Sequence, residues 1–119
     1  MHGPVSTLRS SAALELDAAI AALGSPRRRE ILRLVWTDER SAGAIAAAFD
    51  VSWPAISQNL RVLRNSGLVT ERRVGTRRYY RADREALRPL EPVLRRLWEQ
   101  KVDRLAGLAE AEEGRRSTI

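Results

Sequence analysis

Between Ser41 and Gly67 the chain carries two helical patterns separated by only a few residues, and that spacing restricts how it can fold. Ser41 stands as an N-cap before Ile45, Ala46 and Phe49, which fall at helical spacing. Asp50 and Val51 make a turn. Ser52 then caps a second helix with Pro54 in its first turn. Ile56, Leu60 and Leu63 follow at i, i+4 and i+7, so one stripe of that helix faces a core. Gly67 supplies the left-handed stop. Two short helices joined this tightly read as a helix-turn-helix, in which the first helix braces the second.

After Gly67 the pattern changes to that of strands. Leu68 to Val74 and Arg77 to Arg81 are rich in β-formers, among them Val69, Thr70, Tyr79 and Tyr80. Gly75-Thr76 between them fits a two-residue hairpin turn, so Arg72, Arg73, Arg77 and Arg78 flank its tip. Tyr79 and Tyr80 alternate across the strand, one packing inside and the other supporting the hairpin.

Helical patterns enclose this region on both sides. Residues 10–23 form one helix, with Leu14, Leu16, Ile20 and Leu23 among alanines. Gly24 ends it, Ser25 caps the next, and Pro26 opens a helix running to about Trp36 on Ile31, Leu32, Leu34 and Val35. Arg27, Arg28 and Arg29 crowd that helix's first turn, where its dipole disfavours cations. Asp83 caps a brief turn. Pro89 and Pro92 place the start of a long last helix near Arg88 or Pro89, and it runs to about Ala111. Leu90, Leu94, Leu97, Trp98, Val102, Leu105 and Leu108 give that helix a broad apolar face. A chain of 119 residues cannot cover all of it alone, which points to dimerisation. The expected architecture is mostly α with a small β-hairpin, in the order α-α-α-α-β-β-α. It forms one domain over 1–119, with 1–9 and 112–119 frayed and 88–111 as the dimerisation helix.

Charge is concentrated in the same central region. The net charge is +6, yet residues 27–81 alone carry twelve arginines against five acids, or +7. Residues 1–26 contribute −1, and residues 82–119 balance eight basic against eight acidic side chains. Such segregation suits a polyanion partner. Arginine supplies all but one of the 21 basic residues, a bias that forked phosphate or guanine recognition would favour and that a GC-rich genome would also produce.

Other chemistries lack their residues. There is no cysteine, which excludes a disulfide framework, thiol catalysis and a cysteine metal site. The single histidine is His2, next to the first residue. No phosphate-binding glycine loop and no clear carboxylate pair is present, so an enzyme is not expected. No cofactor is expected either. The start MHGPVSTLRSS lacks the order of a signal peptide, and no apolar run approaches membrane-spanning length. The expectation is a soluble, cytoplasmic protein.

If the second helix of the pair enters the major groove, the side chains near its start are Ser52, Trp53, Ala55, Ser57, Gln58, Asn59 and Arg61. Gln or Asn can pair with adenine, and Arg with guanine or phosphate. Trp53 has two readings at this point, an apolar contact with a thymine methyl or sugar, or a cap over the helix pair's own core. The hairpin arginines Arg72, Arg73, Arg77 and Arg78 would take phosphates or the minor groove and add a salt-sensitive term.

These residues resemble the ArsR-type winged helix-turn-helix repressors of bacteria. The resemblance spans about Ala19 to Leu108 and rests on ALGSPRRREIL, AIAAAFDVSWPAISQNLRVLRNSGLV, RRVGTRRYYRAD and LWEQKVDRL. Val51, Ser52, Pro54, Ala55, Ser57, Gln58, Leu60, Val62, Leu63, Arg64, Gly67, Leu68 and Val69 match a family pattern close to VSxPAVSQHLKVLRxAGLV. It implies a homodimer on a roughly palindromic operator of double-stranded DNA. The first and last helices would form the interface, here through Leu16, Ile20, Leu90, Leu94, Leu97, Trp98, Val102 and Leu105. Asn59 replaces the usual histidine of the recognition helix, which bears on operator preference. The family's metal sensors use cysteines on the third helix or Asp/His sets on the last. This chain has neither and resembles the metal-independent branch, with no small-molecule effector identified by its residues. The competing reading is a winged-helix protein-interaction module with weak or nonspecific DNA binding. The +7 segment argues against it, because protein interfaces rarely carry so much unpaired positive charge.

Overall fold

The structure, a computed structural model, describes residues 16–100. Val102, Leu105 and Leu108 lie outside the described residues, as do the start of the first helical pattern and the end of the last. Helix α1 occupies residues 16–23. It is followed by α2 (Pro26–Leu34), β1 (Arg40–Ser41), α3 (Ala42–Ala47), α4 (Trp53–Asn65), β2 (Val69–Val74), β3 (Arg77–Ala82) and α5 (Arg84–Leu87). A 3-10 turn over Arg88–Leu90 leads into α6 at residues 91–100. The chain divides into two compact units, one ending at Leu87 and one beginning at Arg88. The division falls where the sequence places the start of the last helix.

Local signals account for most of these boundaries. Ser25, Ser41 and Ser52 each accept a backbone N–H three residues on, from Arg28, Ala44 and Ala55 at 3.4, 3.1 and 3.3 Å. Each bond satisfies one of the donors that a helix start leaves unpaired. At the end of α4, Gly67 adopts φ +76°. Its N–H donates to Arg64 O at 3.0 Å and that of Leu68 to Leu63 O at 3.0 Å, the two bonds of a Schellman stop. Leu63 and Leu68 are both buried, which supplies the accompanying apolar contact. Gly75 at φ +61° begins the β2–β3 turn; with no positive φ at Thr76, this is a type II′ hairpin. Asp83 Oδ1 caps α5 by accepting from Ala86 N–H at 3.1 Å.

β1 was not expected from the sequence. Two residues carry no period, and this strand exists only because β3 offers it an edge, pairing Arg40 with Tyr80 and Ser41 with Tyr79. The sheet is antiparallel in the order β1-β3-β2. Ile31, Leu32 and Val35 of the α2 region, Ile45 of α3 and Ile56, Leu60 and Leu63 of α4 are buried, together with Val69, Tyr80 and Ala82 of the sheet. Ala82 N–H donates to Val35 O at 2.9 Å and so ties β3 to the end of α2, while Asp83 N–H to Leu68 O, also 2.9 Å, extends the β2–β3 ladder.

The crowded arginines at the start of α2 have structural partners. Arg28 Nε donates to Ala22 O at 2.7 Å and Arg29 Nη1 to Leu23 O at 2.7 Å. Both carbonyls belong to the last turn of α1, whose dipole is negative there. The cations that α2 disfavours are thus favoured by α1. Arg27 lies over the Phe49 ring at 5.3 Å.

Candidate nucleic-acid interface

Helix α4 sorts its side chains by its own period. Ile56, Leu60 and Leu63 point into the core, which turns Gln58 and Arg61 outward to exposed positions and leaves Ala55 and Ser57 half-buried; Trp53 continues the Ile56/Leu60 stripe but stands exposed at the helix start. Ser52 is exposed, with its hydroxyl engaged in the cap. Trp53 is 53% exposed and lines the groove with Leu60. Asn59 differs from these in having partners within the protein at both ends of its amide. It is half-buried, its Nδ2 donates to Ala55 O at 3.0 Å, and its Oδ1 accepts from Arg28 Nη1 of α2 at 3.3 Å. The residue that departs from the family pattern therefore braces α4 against α2, with its amide already committed on both sides.

Between α4, the start of α3 and the β2–β3 hairpin runs an open groove of about 870 Å³. Trp53, Ser57 and Leu60 line one wall, and Thr76, Arg77, Arg78, Tyr79 and Tyr80 line the other. The hairpin thus stands beside the outward face of α4 as a wing, with Arg77 and Arg78 on the groove side.

The four hairpin arginines are not equivalent. Arg72 forms a forked pair with Glu39, Nη2 to Oε1 at 2.6 Å and Nε to Oε2 at 3.1 Å, and its guanidinium lies over the Tyr79 ring at 4.9 Å. That hydrogen bond holds the Glu39 carboxyl below the ordinary carboxylate range and raises the Arg72 pKa further. Arg73 Nε donates to Glu71 Oε1 at 2.9 Å. Arg64 Nη1 donates to Glu71 Oε2 at 3.0 Å, and the Tyr80 hydroxyl reaches the same oxygen at 3.3 Å. Hydrogen bonds from Arg73 first, then Arg64, hold Glu71 below the ordinary carboxylate range against the effect of its burial. Burial, with Glu71 as a second cause, pushes the Tyr80 hydroxyl upward. Among the described residues Arg61, Arg77 and Arg78 have no carboxylate partner; Arg78 meets only the Tyr80 hydroxyl. Of the sequence's four candidate wing contacts, Arg72 and Arg73 are therefore paired with carboxylates at the protein surface, Arg73 sharing Glu71 with Arg64, whereas Arg77 and Arg78 are not. Tyr80 packs inside and Tyr79 supports the wing, as the alternation implies.

Glu39 and Glu71 did not stand out in the sequence, and Arg28 did so only as one of three arginines crowding a helix start. Arg28 and Asn59 are 31 residues apart and Glu39 and Arg72 are 33, beyond the reach of any local pattern.

The apolar faces of the end helices divide as well. On α1, Leu16 and Ile20 are 48% and 55% exposed, one helical turn apart. In the second unit Leu94 and Trp98 are buried in the single chain, so they have little surface left for a partner, in contrast to the sequence expectation. Leu90 and Leu97 are half-buried, and Val93, which the sequence reading passed over, is 56% exposed. Arg95 bridges Glu91 one turn back at 2.8 Å. Among the described residues no group of three His, Cys, Asp or Glu side chains could hold a metal ion, and no helix is long and apolar enough to cross a membrane.

Comparison with known proteins agrees with this geometry. Residues 25–71, from the cap of α2 to β2, match the family model described as bacterial regulatory protein, arsR family. The HTH-type transcriptional regulator Rv2034 of Mycobacterium tuberculosis is 36% identical over 96 residues, 81% of this chain and 90% of its own. The transcriptional repressor SdpR of Bacillus subtilis is 34% identical over 65 residues, 55% of this chain and 72% of its own. Among solved structures, the homodimeric winged helix-turn-helix DNA-binding domain of a possible ArsR-family regulator from Mycobacterium bovis superposes with TM-score 0.65 at 33% identity. The match covers 77% of this chain and 85% of that one. With the helix pair, its caps and the wing in place, the chain belongs to the arsR family of bacterial regulatory proteins.

Proposed function

We propose that this protein is a homodimeric transcriptional repressor that binds a palindromic operator in double-stranded DNA, acting in the cytoplasm as a non-enzymatic regulator. The observation that carries the reading is the pairing of an exposed α4 face with Arg77 and Arg78, which have no carboxylate partner among the described residues, on the adjoining wing. Gln58 and Arg61 read base edges, Ser52, Ala55 and Ser57 approach the groove floor or a phosphate, and Arg77 and Arg78 take backbone phosphates. Arg72, Arg73 and Asn59 act behind them by shaping the wing and holding α4. Leu16 and Ile20 supply the exposed apolar surface for the second copy, with Leu90 and Leu97 contributing from the last helix. The two α4 helices then stand about one turn of B-DNA apart, roughly 34 Å. The relatives' names as regulators and repressors support the assignment.

Fluorescence anisotropy on DNA from upstream of the protein's own gene, beside a scrambled duplex and over a salt series, tests it. The expected result is tight, steeply salt-dependent binding to the upstream duplex alone. Equal binding to both duplexes would leave only nonspecific association there, and binding to neither would favour a protein-interaction module.

A further inference from the structure

Trp53 is the largest apolar side chain of α4, and the structure leaves it 53% exposed at the helix's first residue, lining the groove between α4 and the wing. On its own wall of the groove Ser57 follows one turn on, with Leu60 buried behind it, and the opposite wall carries Thr76, Arg77 and Arg78 beside Tyr79 and Tyr80. An indole held in water inside a cationic surface lacks the burial that would offset its exposure. The partner that covers it must therefore combine negative charge with a small apolar patch. Duplex DNA has both. Of the groups along the major-groove edge of the base pairs, only the thymine C5 methyl is apolar. The first turn of a recognition helix is the part that approaches base edges. We infer that Trp53 is a specificity-determining residue that reads a thymine by packing its indole on the C5 methyl, once in each half of the operator. The inference rests on the DNA-binding reading above and goes beyond it by assigning a base and an atom to a side chain.

The experiment begins with the full chain and an operator duplex selected from a random-sequence library. Each thymine is then replaced in turn by uracil, which removes the methyl and keeps the base pair. One thymine per half-site is expected to weaken wild-type binding by about fourfold when replaced, the weight of a single buried methyl. Trp53→Ala is expected to bind the thymine duplex more weakly and to show no further loss on the uracil duplex at that position. Trp53→Phe, with a smaller ring, should retain part of the discrimination. The uracil series on the wild type needs no variant, so misfolding of a variant cannot hide the answer. An operator in which no thymine methyl matters would overturn the inference and leave the repressor reading intact. So would a methyl effect that persists unchanged in Trp53→Ala. Failure of the library to yield any preferred duplex would overturn both.

Discussion

Replacing Arg77 and Arg78 together by glutamine is expected to flatten the salt dependence of DNA binding, whereas replacing Arg72 together with its partner Glu39 is not. The sequence presents the four wing arginines as equals. In the structure Arg72 closes a forked pair with Glu39 at 2.6 and 3.1 Å, while Arg77 and Arg78 have no carboxylate partner among the described residues. A cation already paired with a carboxylate must give up that partner to meet a phosphate, so it adds little to the net release of counterions. Each phosphate contact steepens the logarithmic salt slope by about 0.9, so two free arginines in each of two protomers contribute about 3.6. Over a salt increase from about 50 to 200 mM each contact accounts for a roughly 3.5-fold loss of affinity, and four for roughly 150-fold. Arg77→Gln/Arg78→Gln should therefore bind weakly at low salt and lose roughly 150-fold less than the wild type over that range. Glu39→Gln/Arg72→Gln leaves the net charge at +6 and should keep the wild-type slope. Fluorescence anisotropy on one operator duplex at five or so salt concentrations reads both slopes. The reasoning is refuted if the Glu39/Arg72 pair proves to matter as much as Arg77 and Arg78, or if the Arg77/Arg78 variant keeps the full slope.

Two further outcomes follow from the same geometry. Ile20→Asp, at an α1 position 55% exposed in the single chain, should leave the fold intact and shift the protein toward monomer. Sedimentation equilibrium measures this, and an undiminished dimer would remove α1 from the interface. Glu71 is ionised and bonded in the folded protein, with its pKa below the ordinary carboxylate value; its contribution is thus present above the unfolded pKa and lost as pH falls through the folded one. Glu71→Gln should be less stable than the wild type at neutral pH, and the gap should close in acid, as read by urea denaturation across pH. A gap independent of pH would mean that the arginine pairs contribute nothing through charge.

The legible part of this fold lies in signals that act over a few residues. Serine caps, the glycine at φ +76° and the apolar stripe Ile56, Leu60 and Leu63 are each local, and they place α2, α3 and α4 close to their expected spans. The switch from helical to strand period after Gly67 locates the wing in the same way. The two-residue β1 escaped because a strand that short has no period; only the free edge of β3 makes it a strand. The last helix was legible as amphipathic but not in which of its apolar residues are buried. Leu94 and Trp98 prove buried, while Val93 is exposed.

The site follows the same division. Sequence alone determined which residues could face a nucleic acid, because helical period and turn position are properties of neighbouring residues. It also determined the family, through a run of matches across the helix pair. Tertiary structure decided how those residues are used. It committed Arg72 to Glu39 across 33 positions and Asn59 to Arg28 across 31, and it left Arg77, Arg78 and the Trp53 ring toward solvent. The reason is that a charge or an amide takes whichever partner the folded chain brings within bonding distance, and that partner can come from any point in the sequence.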